Sequence, residues 1–349
     1  MSSYMPVLSE TLPVSVIIPA FNEEASLGSL LKDLRMQERP PAEVIVVDAG
    51  STDRTAEVAR AYEPWVRVIQ VDRAYPGQAR NLGVKYAQHP IVAFWDGEMR
   101  IAPQTLRRLC EPILLNEADF VQGRLYLREE SEVFSVYAVI ILGSFVVDKE
   151  GVYSLHPVAG CAMKKSLYRQ VGGSPPYRAS EDHVFRRAVE RSGARIVEMP
   201  EAISWWSPQL TFMGLFRKIR LYARHNRIAG DPLGWFRRLY VYYGGLLFVV
   251  FLSGFFWGWG KGLLGGVFLW VGLISVRSAW HLWRKRCIIV QALARRQSLS
   301  WGYLLRMVPL LMTAADIASW IGFFDWLLLD KCGMAPERYP EPQLKAPVS

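Results

Sequence analysis

Ile91-Val92-Ala93-Phe94-Trp95-Asp96-Gly97-Glu98 is an apolar run that ends abruptly in two acids one residue apart. A short continuous apolar run bounded by a turn signal is the pattern of a strand buried on both faces. Acids at the open carboxyl end of such a strand can share one hard divalent cation and hold it against a diphosphate. Taken alone, an Asp-x-Glu triplet is more often a solvated turn. Its surroundings therefore carry the reading.

Working outward, strands and helices alternate. Residues 14–18 predict a buried strand stopping at Pro19, residues 23–36 a helix, and residues 43–47 a second strand stopping at Asp48. A helix begins near Asp53, capped by Ser51 or Asp53, and is followed by a strand over 66–71, a helix over 78–87 and the strand before the triplet. Such alternation builds a parallel α/β sheet, which binds ligands at the carboxyl ends of its strands. Four consecutive strand ends carry polar residues: Asn22 with Glu23, Asp48, Asp72, and Asp96 with Glu98. One cleft is expected to collect them. No Gly-x-Gly-x-x-Gly follows the first strand and no P-loop occurs, which argues against a dinucleotide dehydrogenase or a P-loop NTPase.

The chain has 349 residues, room for a core-bearing domain and a second region. Residues 239–260 are twenty-two residues without a charge, about what a helix needs to cross ~30 Å of hydrocarbon. After Lys261, residues 262–276 are apolar, and a snorkelling Arg277 lets Ser278-Ala279-Trp280 extend a second crossing to 280. The two read as a transmembrane hairpin with its tip at 257–261. Residues 303–329 are apolar but interrupted by Arg306, Pro309, Asp316 and Asp325, and interfacial or re-entrant helices are expected there ahead of a third crossing.

The net charge of +9 is unevenly spread. Between Ala202 and Ala315 the sole acid is Asp231, while Arg217, Lys218, Arg220, Arg224, Arg227, Arg237 and Arg238 precede the hairpin and Arg284, Lys285, Arg286, Arg295 and Arg296 follow it. By the positive-inside rule both flanks, and with them the amino-terminal domain, are cytoplasmic, on the inner face of a cell membrane. Beside two crossings such a cluster is an anionic-lipid patch rather than a nucleic-acid one. Residues 1–12 lack the apolar core of a secretory signal. Cys110, Cys161, Cys287 and Cys332 have neither zinc-site nor disulfide spacing and read as free thiols.

The segments Val16-Ile17-Ile18-Pro19-Ala20-Phe21-Asn22-Glu23-Glu24, Val46-Val47-Asp48-Ala49-Gly50-Ser51-Thr52-Asp53, Gly77-Gln78-Ala79-Arg80-Asn81 and Asp96-Gly97-Glu98 come in an order and at spacings that resemble family 2 of the glycosyltransferases. The resemblance covers roughly residues 13–230. It implies a GT-A fold, that is, a nucleotide-diphospho-sugar transferase with a Rossmann-like, mostly parallel sheet, followed here by a C-terminal α-helical membrane region. The implied organisation is a cytoplasmic catalytic domain over 1–230 with an interfacial helix at about 209–230, a membrane region over 231–332, and a flexible tail over 333–349.

The resemblance also implies roles. Pro19, Ala20, Asn22, Glu23, Asp48, Ser51, Arg80, Asp96 and Gly97 would line a site for a UDP- or GDP-sugar, with Asn22, Glu23 and Asp48 on the base and ribose and Arg80 on the diphosphate side. Helix capping, strand-end solvation and a surface helix arginine are the plainer readings of the same residues. Asp96 and Glu98 would bind Mg2+ or Mn2+; the family's triplet more often ends in a second Asp, so Asp96 is the firmer ligand. Ser180-Glu181-Asp182-His183 matches the family's Glu-Asp pair, which makes Asp182 the general base of an inverting transfer and Glu181 its supporting carboxylate. An acidic first turn favoured by the helix dipole accounts for that pair without chemistry.

The processive members' Gln-x-x-Arg-Trp is absent: Arg217-x-x-Arg220-Leu221 and Lys218-x-x-Leu221-Tyr222 are the available registers. This argues against a polymerising synthase. Arg217, Arg220, Arg224 and Arg227 share one helical face, expected at the membrane interface. A site held at a bilayer gains most from an acceptor confined there, which favours a lipid or lipid-linked acceptor such as a polyprenyl phosphate. Residues 133–147 either line its entrance or form a core helix. Two other classes share these features: a catalytically inactive membrane-tethered sugar-nucleotide-binding protein and a sugar nucleotidyltransferase.

Overall fold

The computed structural model describes residues 11–128, 133–142, 146–147, 152–154, 158–207, 210–230, 236–257, 259–295, 300–334 and 338–345. Asp231, Gly258 of the hairpin tip, Arg296, residues 143–145 of the apolar 133–147 stretch, residues 208–209, and residues 335–337 and 346–349 of the tail lie outside them. The chain divides into two compact units, Met1–Arg128 with Tyr153–Ser207 and Tyr339–Ser349, and Glu129–Val152 with Pro208–Arg338.

The strands are β1 (Leu12–Ala20), β2 (Pro41–Asp48), β3 (Val66–Gln70), β4 (Ile91–Phe94), β5 (Met99–Ile101), β6 (Phe120–Leu127), β7 (Val146–Val147), β8 (Val152–Ser154), β9 (Cys161–Lys164) and β10 (Ile196–Trp206). The first unit is built on the order β3-β2-β1-β4-β9-β6-β10-β5. β3, β2, β1 and β4 run parallel, as do β6 and β10, whereas β9 and β5 are antiparallel to their neighbours. The sheet is thus mixed and mostly parallel.

Helices α1 (Leu27–Arg35), α2 (Thr55–Arg60), α3 (Pro76–Tyr86), α4 (Thr105–Leu114), α6 (Lys165–Gln170) and α7 (Glu181–Arg191) cover this sheet, and α5 (Val133–Leu142) belongs to the second unit. Val16 and Ile18 of β1 enter one core with Leu27, Leu30, Leu31 and Leu34 of α1; Ile17 enters the other with Ile45, Val47, Phe94, Ala79 and Val84. Burial on both faces is why these strands read as unbroken apolar runs rather than alternating ones. The strand order matters more than the strand count. It sets the ends of β3, β2, β1 and β4 side by side, so the polar residues that follow them form one row.

The first helix is shorter than its sequence suggests. It starts at Leu27, not at residue 23, because Asn22 turns the chain at φ 56° and the Glu23 N–H donates to Thr55 Oγ1 at 2.7 Å instead of entering a helix.

The second unit contains α8 (Phe212–Ile228), α9 (Arg237–Trp257), α10 (Trp259–Arg284), α11 (Arg286–Arg295) and α12 (Trp301–Asp325), which passes into a π-helical turn, Trp326–Lys331. Among the described residues, three stretches are long and apolar enough to cross a membrane: Leu239–Phe256, Leu263–Arg284 and Trp301–Lys331. The third apolar segment is therefore one long helix rather than broken pieces, and Pro309 lies within it. Its acids are paired. Arg277 of α10 donates to both carboxylate oxygens of Asp316 at 2.6 and 3.2 Å, and the Tyr243 hydroxyl of α9 donates to the same group at 2.8 Å. Arg277 accordingly turns to an acid instead of snorkelling.

Three arginines of the α8 row are likewise engaged within their own unit. Arg220 pairs with Asp325 at 2.5 and 2.9 Å, Arg224 pairs with Asp330 at 2.7 and 2.9 Å, and Arg227 lies over the rings of Phe236, Phe323 and Trp326. Asp325, which interrupts the apolar pattern in sequence, and Asp330 just beyond it thus serve as partners for two of these arginines.

Candidate active site

At the carboxyl end of β2, Asp48 is buried and lies in register with Ala20 of β1 and Gln70 of β3. One of its oxygens accepts the Ser51 N–H at 2.9 Å and the other accepts Gln70 Nε2 at 2.8 Å. Gly50 permits this turn: its φ is +91°, and a Cβ there would stand 2.2 Å from the Asp72 carbonyl oxygen. The Asn22 N–H donates to Ser51 Oγ at 2.9 Å, and Asn22 Oδ1 accepts the Thr52 N–H at 2.9 Å. The loops after β1 and β2 are thereby tied together. Neither capping candidate is the N-cap of α2, which is Arg54: Asp53, one residue earlier, accepts the Thr55 N–H at 3.0 Å, while Ser51 serves Asn22. Pro19 and Ala20 close β1, the Ala20 carbonyl accepting the Ala49 N–H at 2.9 Å.

The triplet forms the turn between β4 and β5. Gly97 packs against Glu23, so that a Cβ at position 97 would lie 3.2 Å from Glu23 Cγ. Burial, reinforced by Glu98, Asp96 and Asp53 and opposed by the Ser26 hydroxyl, pushes the Glu23 carboxyl up to about 7. The two acids of the triplet diverge. Asp96 Oδ1 accepts Arg80 Nη2 at 2.9 Å, whereas Glu98 Oε1 accepts Trp206 Nε1 at 2.6 Å. Among the described residues no three His, Cys, Asp or Glu side chains converge as a ready metal site.

The raised Glu23 carboxyl has a measurable consequence. A carboxyl whose pKa is higher folded than unfolded favours the fold while protonated; that contribution is present below about pH 4.5 and is lost as pH rises through about 7. Glu23→Gln keeps an acceptor for Ser26 without the charge. Its melting temperature should match the parent's near pH 4 and exceed it at pH 8. A difference independent of pH would refute this account.

Arg80 sits on α3, 2% exposed, and reaches two motifs at once: Nη2 to Asp96 and Nη1 to Glu181 Oε1 at 3.2 Å. Its neighbour Asn81 donates Nδ2 to the Ser174 carbonyl at 2.8 Å and accepts the Tyr168 hydroxyl at 2.8 Å, fixing the loop that leads to α7. Ser180, buried at φ +66°, turns that loop into the helix. Burial works against the Arg80 charge, yet Asp96 and Glu181 outweigh it and hold the guanidinium above its usual pKa. Burial, with Asp182 adding to it, raises the Glu181 carboxyl against the opposing pull of Arg80. Glu181 is thus buried and engaged, while Asp182 is more open, its Oδ1 accepting the His183 N–H at 2.8 Å.

The residues singled out in the sequence therefore fall into two groups, Asn22, Ser51 and Asp48 on one side and Glu23, Asp96, Gly97, Arg80 and Glu181 on the other. Gln70 and Trp206 were not foreseen. Gln70 is found once Asp48 is placed in register with the next strand, whereas Trp206 requires knowing that β10 pairs with β5, setting Trp206 opposite Met99.

A mostly parallel α/β sheet with a row of acids beyond adjacent strand ends is the GT-A architecture of nucleotide-diphospho-sugar transferases. Residues 15–172 match the family model for glycosyl transferase family 2, and the chain carries a domain of that family there. It is 40% identical over 107 residues to validoxylamine A glucosyltransferase of Streptomyces hygroscopicus subsp. limoneus, a match covering 29% of this chain and 24% of the relative. It is 36% identical over 125 residues to glycosyltransferase AglE of Haloferax volcanii, covering 34% of this chain and 41% of the relative. The chain thus spans less than half the length of these curated relatives. The mannosyltransferase PcManGT of Pyrobaculum calidifontis, solved with GDP-Man and Mn2+, superposes with a TM-score of 0.51 at 18% identity, over 91% of this chain and 87% of that one. That likeness is one of fold.

Proposed function

We propose that this chain is a membrane-bound inverting glycosyltransferase that moves a sugar from a UDP- or GDP-sugar to a lipid or lipid-linked acceptor, such as a polyprenyl phosphate or a lipid-linked saccharide, at the cytoplasmic face of the cell membrane. The observation that carries the reading is Arg80, which joins the acid of the β4 turn to the acid that opens α7. A solvated turn and a dipole-stabilised helix start, the plain readings of those two motifs, give no reason for one buried cation to span both.

In this reading Asn22, Ser51 and Asp48, already oriented by each other and by Gln70, receive the nucleoside; carboxylate and amide oxygens accept from ring N–H and ribose hydroxyls. The acids Asp96 and Glu98 at one turn, with Glu23 packed against it, suit a hard divalent cation; burial first, and the neighbouring acids after it, raise the Glu23 carboxyl. Asp96, with Glu98 on the longer arm, would hold Mg2+ or Mn2+, which when bound neutralises the departing nucleoside diphosphate. Asp182 takes the proton from an acceptor hydroxyl, while Glu181, fixed by Arg80, orients the start of α7. The apolar helices keep the enzyme with a membrane-confined acceptor, and their basic flanks favour the cytoplasmic side.

The test is release of nucleoside diphosphate by purified full-length protein across UDP- and GDP-sugars, with Mg2+ or Mn2+ and membrane lipid extract. Asp182→Asn should retain donor binding and lose transfer by roughly two orders of magnitude or more. Asp96→Asn should weaken metal-dependent donor binding. Full transfer in either variant would sink the assignment. Pyrophosphate as product would instead point to a nucleotidyltransferase, and binding without turnover to an inactive binding protein.

A further inference from the structure

The segment Tyr339–Lys345, expected to be flexible, is bound to the first unit. Leu344 bridges Val71 in antiparallel fashion just beyond β3, the edge strand of the sheet. The Asp72 N–H donates to the Gln343 carbonyl at 3.0 Å, the Gln343 N–H donates to Asp72 Oδ1 at 3.0 Å, and the Lys345 N–H donates to the Gln70 carbonyl at 2.9 Å. Further back, Gln78 Nε2 donates to the Pro340 carbonyl at 2.7 Å. The Tyr339 ring stands edge-on between Tyr75, centroids 5.9 Å apart, and Tyr177, 5.7 Å apart.

An edge strand offers unpaired backbone groups that an extended segment can satisfy. Tyr339-Pro340-Glu341-Pro342-Gln343-Leu344-Lys345 suits that use: its prolines bring no N–H to positions 340 and 342, and the N–H groups of 343 and 345 are the ones bonded. Two fixed φ angles also reduce the ordering cost of docking.

What the segment holds is more informative than how it holds on. Gln70 orients Asp48, Tyr75 immediately precedes the helix bearing Arg80, and Tyr177 lies in the loop that ends at Ser180-Glu181. We propose that Tyr339–Lys345 is a strap completing the donor site, with Tyr339 as a positioning residue that holds the start of α3 and the loop before α7 together so that Arg80 meets Asp96 and Glu181. The roles rest on the enzymatic reading above, whereas the docking does not.

The test uses full-length Tyr339→Ala, Tyr339→Phe and Gln343→Pro, the last removing the Gln343 N–H while keeping every aromatic ring. Amide hydrogen exchange is followed over 70–80 and 174–182 alongside donor KM and kcat. Tyr339→Ala should speed exchange in both segments, leave β1 protected and raise donor KM about tenfold, the scale of losing two edge-to-face aromatic pairs. Gln343→Pro, which keeps the rings and loses one hydrogen bond to Asp72, should speed exchange in both segments and raise donor KM about fivefold. Tyr339→Phe should behave as the parent. Unchanged exchange in Tyr339→Ala overturns the strap. Faster exchange with parental KM and kcat overturns its link to the site. A parent without turnover on any sugar nucleotide defeats the enzymatic reading instead, and exchange still decides the docking.

Discussion

Arg80→Met is expected to lower kcat/KM for transfer by about a thousandfold, in line with losing a preorganised charge at a reacting centre. What remains after the cation leaves sets the size of the loss. Glu181 has a side chain 11% exposed and Asp182 beside it, while Asp96 at 31% can recover water. Glu181 therefore suffers more. An unpaired buried carboxylate escapes its cost by binding a proton, and Arg80 is the group now opposing that proton. In the variant Glu181 should ionise at higher pH, and the acidic limb of any residual activity should move to higher pH. Proton uptake limits the loss of stability, which should be about 1–3 kcal/mol, short of the full cost of breaking a buried pair. Arg80→Lys sharpens the point. A lysine keeps the charge but is a point donor without the planar fork that serves two carboxylates at once, so it should recover stability far better than rate. Rate against pH and thermal melting of both variants check this; parental rates in Arg80→Met would remove Arg80 from the mechanism.

What could be read from the chain before its structure divides along a physical line. The β-strands of the row and the acids beyond them were legible because burial on both faces writes itself as a local apolar run, and a strand end writes itself as a polar break. The start of α1 was not, because Glu23 spends its N–H on Thr55, thirty-two residues away, and no local pattern announces that bond. The same holds for the site. The motif acids were visible singly, but that Asp96 and Glu181 share one arginine while Glu98 goes to Trp206 follows from sheet topology. Tyr339 left still less trace, since a short Pro-containing segment reads as a loose end until an edge strand is known to be open beside it.

The charges in the apolar helices show the same limit and carry the second large effect. Asp316→Leu is expected to destabilise the second unit by about 3–5 kcal/mol, the cost of leaving a buried charge without its partner. In sequence Arg277 and Asp316 each look like a defect in a run that should cross hydrocarbon, and each alone would be costly there. Together they form a two-pronged pair, with side chains 14% and 9% exposed, to which the Tyr243 hydroxyl adds a third hydrogen bond and over which Tyr242 stacks against the guanidinium at 4.6 Å. Removing Asp316 strands the arginine; removing Arg277 strands the aspartate with only Tyr243 left to it. Arg277→Leu should therefore be comparably harmful. The double replacement removes both charges and gives leucine the apolar surroundings it needs, so it should recover most of the loss, since a buried pair replaced by well-packed apolar residues is often neutral or better. Thermal unfolding of the four proteins in one detergent closes the double-mutant cycle. Recovery in the double variant identifies the pair as a mutual neutralisation that lets α10 and α12 lie in an apolar medium. A double variant as unstable as Asp316→Leu would mean instead that Tyr243 and Tyr242 depend on the charges for their placement, making the pair an organiser of the α9, α10 and α12 packing.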